Sequence, residues 1–323
     1  MFEMGIQELV KTIDTNINHM ISLSVLNLAQ LGIKYGIFKA VASRPSYEEL
    51  LSQIPVPNKP LLKKLIEHLK ALGIIEETPS NLILNGFSYV LKFPKEDYML
   101  LLSDWIPIWE EIYKMVDFAL ISYSHPYVLM DFDKDADFWD IRLSSSFNKT
   151  YRDAIINLGE IREDSYILDL GCGSVSPAYF GKFISEDGKY VGVDYSPGLL
   201  EIARERVERN GLPAELKEMD VSLIRTRSKY DVAIMSFLLE YVRDREEVLG
   251  KVLEALDSGG KLIIVEAFRD EFENIQAMEF FESLNRSFVG YPAKAEIKKA
   301  ILREGFDVSF EDYGKSILVV RKL

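Results

Sequence analysis

Residues 167–177 read ILDLGCGSVSP, a short apolar run carrying one acid, Asp169, and then a tight Gly171-Cys172-Gly173 turn. A strand that ends on glycines and hands over to a helix is how open α/β sheets seat a ligand. Glycine lets the backbone come close, and the helix N-terminus favours negative charge. Three ligand classes use such a turn, and the residues separate them. A phosphate loop would finish in Gly-Lys-Ser/Thr, and no such triplet follows Gly173. The dinucleotide fingerprint needs glycine or alanine where Ser176 stands, and it normally has no acid two residues ahead of its first glycine. Here Asp169 holds that position. A carboxylate beside the turn sits poorly with a pyrophosphate and suits a ligand bearing an ammonium and a sulfonium.

From Asp164 onward, strand, turn and helix repeat. Strands are expected at 166–170, 189–194, 214–219, 231–237, 261–266, 306–311 and 316–321, with helices between them. The best marked helix, SPGLLEIARERVERNG, has Ser196 as N-cap, Pro197 at its first position and Gly211 at its end. Such alternation builds a parallel sheet covered on both faces, and the short gap at Tyr313-Gly314 makes the last two strands an antiparallel pair. Acids recur at the strand ends. Asp194 closes the second strand, where a carboxylate can accept both hydroxyls of a ribose, and Tyr195 can lie along the nucleoside. Asp220 follows the third strand and can accept an adenine amine while Val221 covers the ring; Ser236 closes the fourth. Any one of these acids could be a plain helix cap. Three at successive strand tips, with Gly171 and Gly173, point to S-adenosylmethionine.

Length and charge bound the rest. A chain of 323 residues, 48% hydrophobic and 28% charged, is expected to be globular with two domains of ordinary size. The formal charge of −13 is uneven: residues 1–92 are near neutral and 93–323 carry the excess of acid, so neither part is basic. Nucleic acid and anionic membrane are therefore not expected partners. One cysteine, Cys172, allows no intrachain disulfide and no thiolate metal site, so no metal is expected. The opening MFEMGIQELVKTID has no signal-peptide pattern and no segment reaches the length of a membrane span, from which a cytoplasmic protein is expected.

Ahead of the sheet lie two other regions. Residues 1–92 read as an apolar helix near 18–31, a helix within SRPSYEELLSQI with Ser46 and Glu49 as capping box, the linker PVPNKP, the helix PLLKKLIEHLKALG, and a hairpin around 78–81. That order is a winged helix. Residues 93–158 hold all three tryptophans and read as helices broken near Pro107 and His125-Pro126. Most of the rings in this connector are expected to pack helices together; Trp105, Trp109, Met115 and Trp139 are the candidate walls of a substrate pocket.

With these segments in order, the chain resembles the class I S-adenosylmethionine-dependent methyltransferases, and within them the winged-helix, dimerising O-methyltransferases of the plant caffeate and bacterial polyketide type. ILDLGCG, GVDYS, EMDV, FNKTYRDA and LLEYVRDREEVLGKVLEALDSGGKLIIVE carry the resemblance, which covers nearly the whole chain. It implies an N-terminal winged-helix dimerisation domain (1–92), a helical connector or substrate cap (93–158) and a seven-stranded Rossmann-like methyltransferase domain (159–323). It implies a homodimer, S-adenosylmethionine as cofactor and methylation of a small aromatic or apolar metabolite, most readily on oxygen. Where the family commonly has a third glycine this chain has Val175, which is expected to narrow the space near the methionine end.

In the resembled family a histidine after the fourth strand removes the acceptor's proton. LLEYVRD has Glu240 at that position, and the three histidines of the chain, His19, His68 and His125, all precede the sheet. A free glutamate at about 4.3 and a phenol at about 10 differ by roughly six decades, about 8 kcal/mol of uphill transfer. Glu240 can act as a base only if burial raises its pKa; otherwise it orients an acceptor that needs no base, such as an amine, or caps the next helix in water. Glu266 matches the family's glutamate that orients the missing histidine. Two other readings stay open: a winged-helix DNA-binding regulator with a vestigial ligand domain, and a diverged enzyme that keeps the cofactor without transferring its methyl group.

Overall fold

The computed structural model describes residues 5–96, 99–129, 131–225 and 229–323; the first four residues of the N-terminal stretch quoted above lie outside them. The chain opens with α1 (Ile6–Lys34), then the short α2 (Ile37–Val41), α3 (Tyr47–Gln53) and α4 (Lys59–Ala71), and the hairpin β1 (Ile75–Glu77) and β2 (Leu82–Leu84). Local chemistry sets these ends. Ser46 Oγ accepts the Glu49 N–H while the Glu49 carboxylate accepts the Ser46 N–H, closing the expected capping box on α3. Asn58 caps α4 and its amide reaches back to the carbonyls of Ala119 and His125, tying the helix to the connector.

The first helix starts twelve residues earlier than its apolar pattern predicts, at Ile6. The early part buries Leu9, Val10, Ile13 and Ile17 in the core, and its polar residues find long-range partners. Asn16 bonds the carbonyls of Thr12 and Met99 and accepts from the Leu101 N–H, and Asp14 accepts the N–H groups of Lys315 and Ser316. None of those partners is near in sequence except Thr12, so local periodicity could not reveal them.

The connector supplies α5 (Ile106–Ser122), α6 (Ala136–Leu143) and α7 (Ser146–Gly159). The sheet follows as β3 (Tyr166–Leu170), α8 (Ser176–Phe180), β4 (Lys189–Asp194), α9 (Pro197–Arg209), β5 (Ala214–Glu218), β6 (Tyr230–Ser236), α10 (Arg245–Ala255), β7 (Leu256–Val265), α11 (Gln276–Glu282), α12 (Lys294–Arg303), β8 (Val308–Tyr313) and β9 (Ile317–Lys322). Seven strands run in the order β5-β4-β3-β6-β7-β9-β8, parallel except that β9 is antiparallel to both neighbours. The central strands are dry: Ile167, Val191, Ala233 and Ile263 are all buried, as expected for strands covered on both faces. Packing of α1 against α7 and α11 makes the N-terminal helices and the sheet share one core. Strand β7 begins at Leu256, five residues before its predicted start, with a register irregularity at Tyr230/Val232. Among the described residues no helix is long and apolar enough to cross a membrane.

Candidate active site

The Gly171-Cys172-Gly173 turn is hooked onto the neighbouring strand, because the N–H groups of Gly171 and Cys172 both donate to Val193 O. Both glycines are left-handed, with φ of +66° and +58°. A Cβ at Gly171 would come 2.8 Å from Leu238, and one at Gly173 2.8 Å from Leu143, so the turn needs glycine for conformation and for space. Asp194 closes the same corner: its Oδ2 accepts the Gly173 N–H and its Oδ1 the Ser196 N–H, each at 2.9 Å. Burial pushes its pKa up, and these backbone donors hold it down. Ser196 caps α9 through the Leu199 N–H and donates to Phe132 O, which ties the connector to the strand tips.

A cavity of about 670 Å³ crosses the carboxyl ends of the strands. One end is lined by Gly171, Gly173, Asp194, Tyr195, Asp220, Val221 and Ser236. At the other end stand Trp105, Trp139, Phe147, Tyr151, Phe237, Glu240 and Tyr241, with Met20 from α1 and Met278 from α11. The volume is within the ordinary range for small-molecule sites.

Several predicted residues lie off this wall. Asp169 sits in the last turn of β3 with its side chain sealed beneath the glycines; Tyr190 donates to its Oδ2 at 2.6 Å, and its Oδ1 is buried without a partner. Burial pushes its pKa to about 7, with the Tyr190 bond and the Arg152 charge pulling the other way. It is 1% exposed, held by Tyr190 of β4 and not among the residues that line the cavity. Trp109 comes one helical turn after Trp105, stacked on it at 4.7 Å and tilted against Phe281 at 4.8 Å, and faces the core. Met115 packs against the same core. Val175 does not line the cavity either, so the expected narrowing is absent; Ser176 lines it instead.

Glu240 lies in the single turn Leu239–Tyr241 after β6 and is 3% exposed, which excludes a solvent-facing helix cap. Glu266 follows β7 immediately and is fully buried. Because β6 and β7 are paired through Ser236 and Val265, the two acids arrive side by side, and their carboxyls are in hydrogen-bond contact. Glu266 Oε1 also accepts the N–H groups of Leu238 (3.0 Å) and Leu239 (2.7 Å), fixing the turn that carries Glu240. Burial, and then the neighbouring Glu266 charge, push the Glu240 carboxyl well above the usual range; burial raises Glu266 as well.

Sequence reasoning singled out none of the other polar groups in this wall. Arg142 of α6 and Glu282 of α11 form a buried two-point ion pair, Tyr241 donates to Glu282 at 3.2 Å, and Arg142 lies over Trp139. Arg152 is buried with its Nε on Ser176 Oγ at 2.9 Å and its Nη1 on Leu143 O at 3.0 Å. The signal for Arg152 was its place within FNKTYRDA; Arg142 and Glu282 could be found only by folding the chain. No histidine reaches the cavity. His19 packs at a tilt against Phe93, His68 packs edge-on to Phe280, and His125 sits in the loop after α5. Among the described residues no cluster of His, Cys, Asp and Glu is arranged to hold a metal ion.

Comparison with known proteins agrees with this geometry. Residues 168–262 match a family model described as a methyltransferase domain. The uncharacterized protein MJ0906 of Methanocaldococcus jannaschii is 34% identical over an alignment covering 99% of this chain and 89% of that one. The demethylmenaquinone methyltransferase of Thermus thermophilus is 25% identical over 52% of this chain and 86% of its own length. The crystal structure of the carbon methyltransferase CurJ shares the fold with a TM-score of 0.62 at 15% identity, covering 97% of this chain and 96% of that one. The chain belongs to one family with MJ0906, and it is a class I methyltransferase with S-adenosylmethionine as its cofactor.

Proposed function

We propose that the protein methylates a small aromatic metabolite at a ring hydroxyl, or at the ring carbon conjugated to it. The observation that carries this reading is the buried Glu240 in a wall rich in aromatic rings, where the other acid, Glu282, is already tied up by Arg142. The strand-tip end fits the cofactor: a glycine turn no side chain could share, a buried carboxylate and a second acid next to an apolar cover. In this reading Asp194 receives the ribose hydroxyls, Asp220 the adenine amine, Val221 and Tyr195 flank the nucleoside, and Ser236 faces the methionine portion. S-adenosylmethionine supplies an electrophilic methyl group, and its sulfur keeps the electron pair of the broken bond.

Glu240 takes the hydroxyl proton. An ordinary carboxylate is roughly six decades too weak for a phenol, and each decade by which burial raises it recovers about 1.4 kcal/mol. Loss of that proton leaves an anion whose charge is shared between the oxygen and the ring carbons, so the atom presented to the methyl group decides between O- and C-methylation. The aromatic walls exclude water and hold a flat ring.

The chain divides, in the same reading, into a winged-helix unit (1–92), a helical cap (93–158) and the catalytic unit (159–323), with two copies joined through the first. Exposed apolar side chains on α1, Leu26 and Ile33, support such pairing. Two of the lysines on its reading helix, α4, speak against the DNA-binding alternative. Lys64 of α4 is turned inward onto Ser283 O and the Tyr127 ring, and Lys70 is paired with Glu67 and Glu77. The test is incubation of purified protein with S-adenosylmethionine and a panel of phenols and naphthols. Products one CH2 heavier, with S-adenosylhomocysteine in equal amount, support the reading. Cofactor binding with no such product from any hydroxyl-bearing ring contradicts it.

A further inference from the structure

The two acids at the tips of β6 and β7 are placed where a charged pair is hard to keep. Glu266 Oε1 is satisfied by the Leu238 and Leu239 N–H groups. Its Oε2 and the Oε2 of Glu240 are both buried, and no N–H or hydroxyl reaches either. The charged groups around them are already engaged. Arg245 donates to the carbonyls of Leu239 and Gly290, and Arg142 is held by Glu282, which also takes the Tyr241 hydroxyl. Tyr151 and Tyr291 complete the ring of titratable neighbours and are themselves buried. Two carboxylates in contact without a donor repel; one proton between them turns the contact into a charge-assisted hydrogen bond.

We propose that Glu240 and Glu266 share one proton and work as a relay, Glu240 as the catalytic residue at the cavity wall and Glu266 as the positioning residue behind it. This rests on the reading of Glu240 as the acceptor-side base. In the resting pair Glu240 carries the proton and holds it in a hydrogen bond to Glu266, which leaves the other Glu240 oxygen free for the acceptor. When the acceptor hydroxyl is consumed, its proton passes to Glu240 and the Glu240 proton passes to Glu266, while the new bond to the methyl carbon forms from the acceptor's electron pair. Both carboxyls are then neutral, and loss of one proton to water restores the pair. The relay requires an acceptor that surrenders a proton, which favours an acidic ring hydroxyl over an amine or an ether.

The shared proton can be read without any acceptor. A protonated carboxyl shut away from water gives its own carbonyl-stretch band in the infrared, separate from carboxylate absorption. Asp169→Asn removes the band of the other sealed acid, and in that background the ligand-free full-length protein at neutral pH should still show such a band, which Glu240→Gln and Glu266→Gln should each abolish, because the new amide donates to the remaining carboxylate. An Asp169→Asn protein without the band, or a band that Glu266→Gln leaves unmoved in its titration midpoint, overturns the relay. Should Glu266→Gln not fold, Glu266→Asp keeps the acid but shortens its reach, and the midpoint should then fall; an unchanged midpoint overturns the proposal equally. Wild-type methylation without the band fails the relay and keeps the function; the band without methylation of any hydroxyl-bearing ring fails the function and keeps the shared proton.

Discussion

At the strand-tip end of the cavity the groups read from the sequence sit at a strand end or in the turn just after it: Gly171 and Gly173 after β3, Asp194 at the end of β4, Asp220 after β5. At the acceptor end the wall is gathered from α1, α5, α6, α7 and α11 and the turn after β6, elements spread from Met20 to Tyr291. The difference is one of what the backbone already fixes. A parallel sheet aligns its own carboxyl ends, so one residue placed after each strand is enough to build a binding edge. The acceptor end has no such frame, and its groups are held by tertiary contacts such as Arg142 with Glu282 and Glu266 with the Leu238 and Leu239 N–H groups. Changes at the two ends should therefore separate cofactor affinity from turnover.

The largest separation is expected for Glu240→Gln. Turnover should fall by about two to four decades, the usual contribution of a positioned proton acceptor, while S-adenosylmethionine affinity stays within about twofold. Steady-state rates and calorimetry together check this, and an affinity loss matching the rate loss would merge the two ends. The wild-type rate should climb as pH rises through the range where the Glu240–Glu266 pair first ionises. The raised carboxyls move that limb above the ordinary glutamate range.

Breaking the ion pair of α6 and α11 comes next. Arg142→Ala leaves Glu282 buried and unpaired, a change that costs on the order of 3–5 kcal/mol. A lowered unfolding midpoint with a raised KM for the acceptor is expected, and a variant as stable as wild type would show that the pair does not hold the wall together.

Asp169→Asn probes a support at the cofactor end. The native carboxyl is raised from 3.8 to about 7 by burial, so the folded state holds its proton where the unfolded state has lost it. Stability from this group therefore falls as pH rises from about 4 to about 7 and is level above, by at most about 4 kcal/mol. The asparagine keeps an acceptor for Tyr190 without that penalty, so its stability advantage over wild type should open across that window and persist at pH 8. Denaturant titrations at pH 5 and pH 8 decide; an equal difference at both pH values contradicts a sealed, raised Asp169. The smallest effect is expected for Glu240→His, which puts a base near 6.5 in front of Glu266 and should keep turnover within about tenfold.

The same contrast governs how much could be read from the sequence. Strands 166–170 and 189–194 come out at their predicted bounds because burial on both faces and a glycine turn are local signals. Asp194, Asp220 and the glycines were legible for the same reason, as was the absence of histidine from the sheet. Asp169 was legible as an acid but not as a sealed one, since which side of the turn a strand residue faces depends on the neighbouring Tyr190. Trp105 and Trp109 look alike in sequence; one turn of α5 and the position of Phe281 send one to the cavity and the other to the core. Arg142, Glu282 and the contact of Glu240 with Glu266 depend on elements brought together across more than a hundred residues or across a strand register, which no local pattern encodes.

The central claim is that one cavity holds cofactor at the strand tips and acceptor at Glu240, and titration calorimetry of S-adenosylmethionine into wild type, Asp194→Asn and Glu240→Gln tests it most directly. Loss of a charged hydrogen-bonding group should weaken binding by about 10- to 100-fold in Asp194→Asn, with Glu240→Gln matching wild type. Equal affinity in Asp194→Asn and wild type would contradict it.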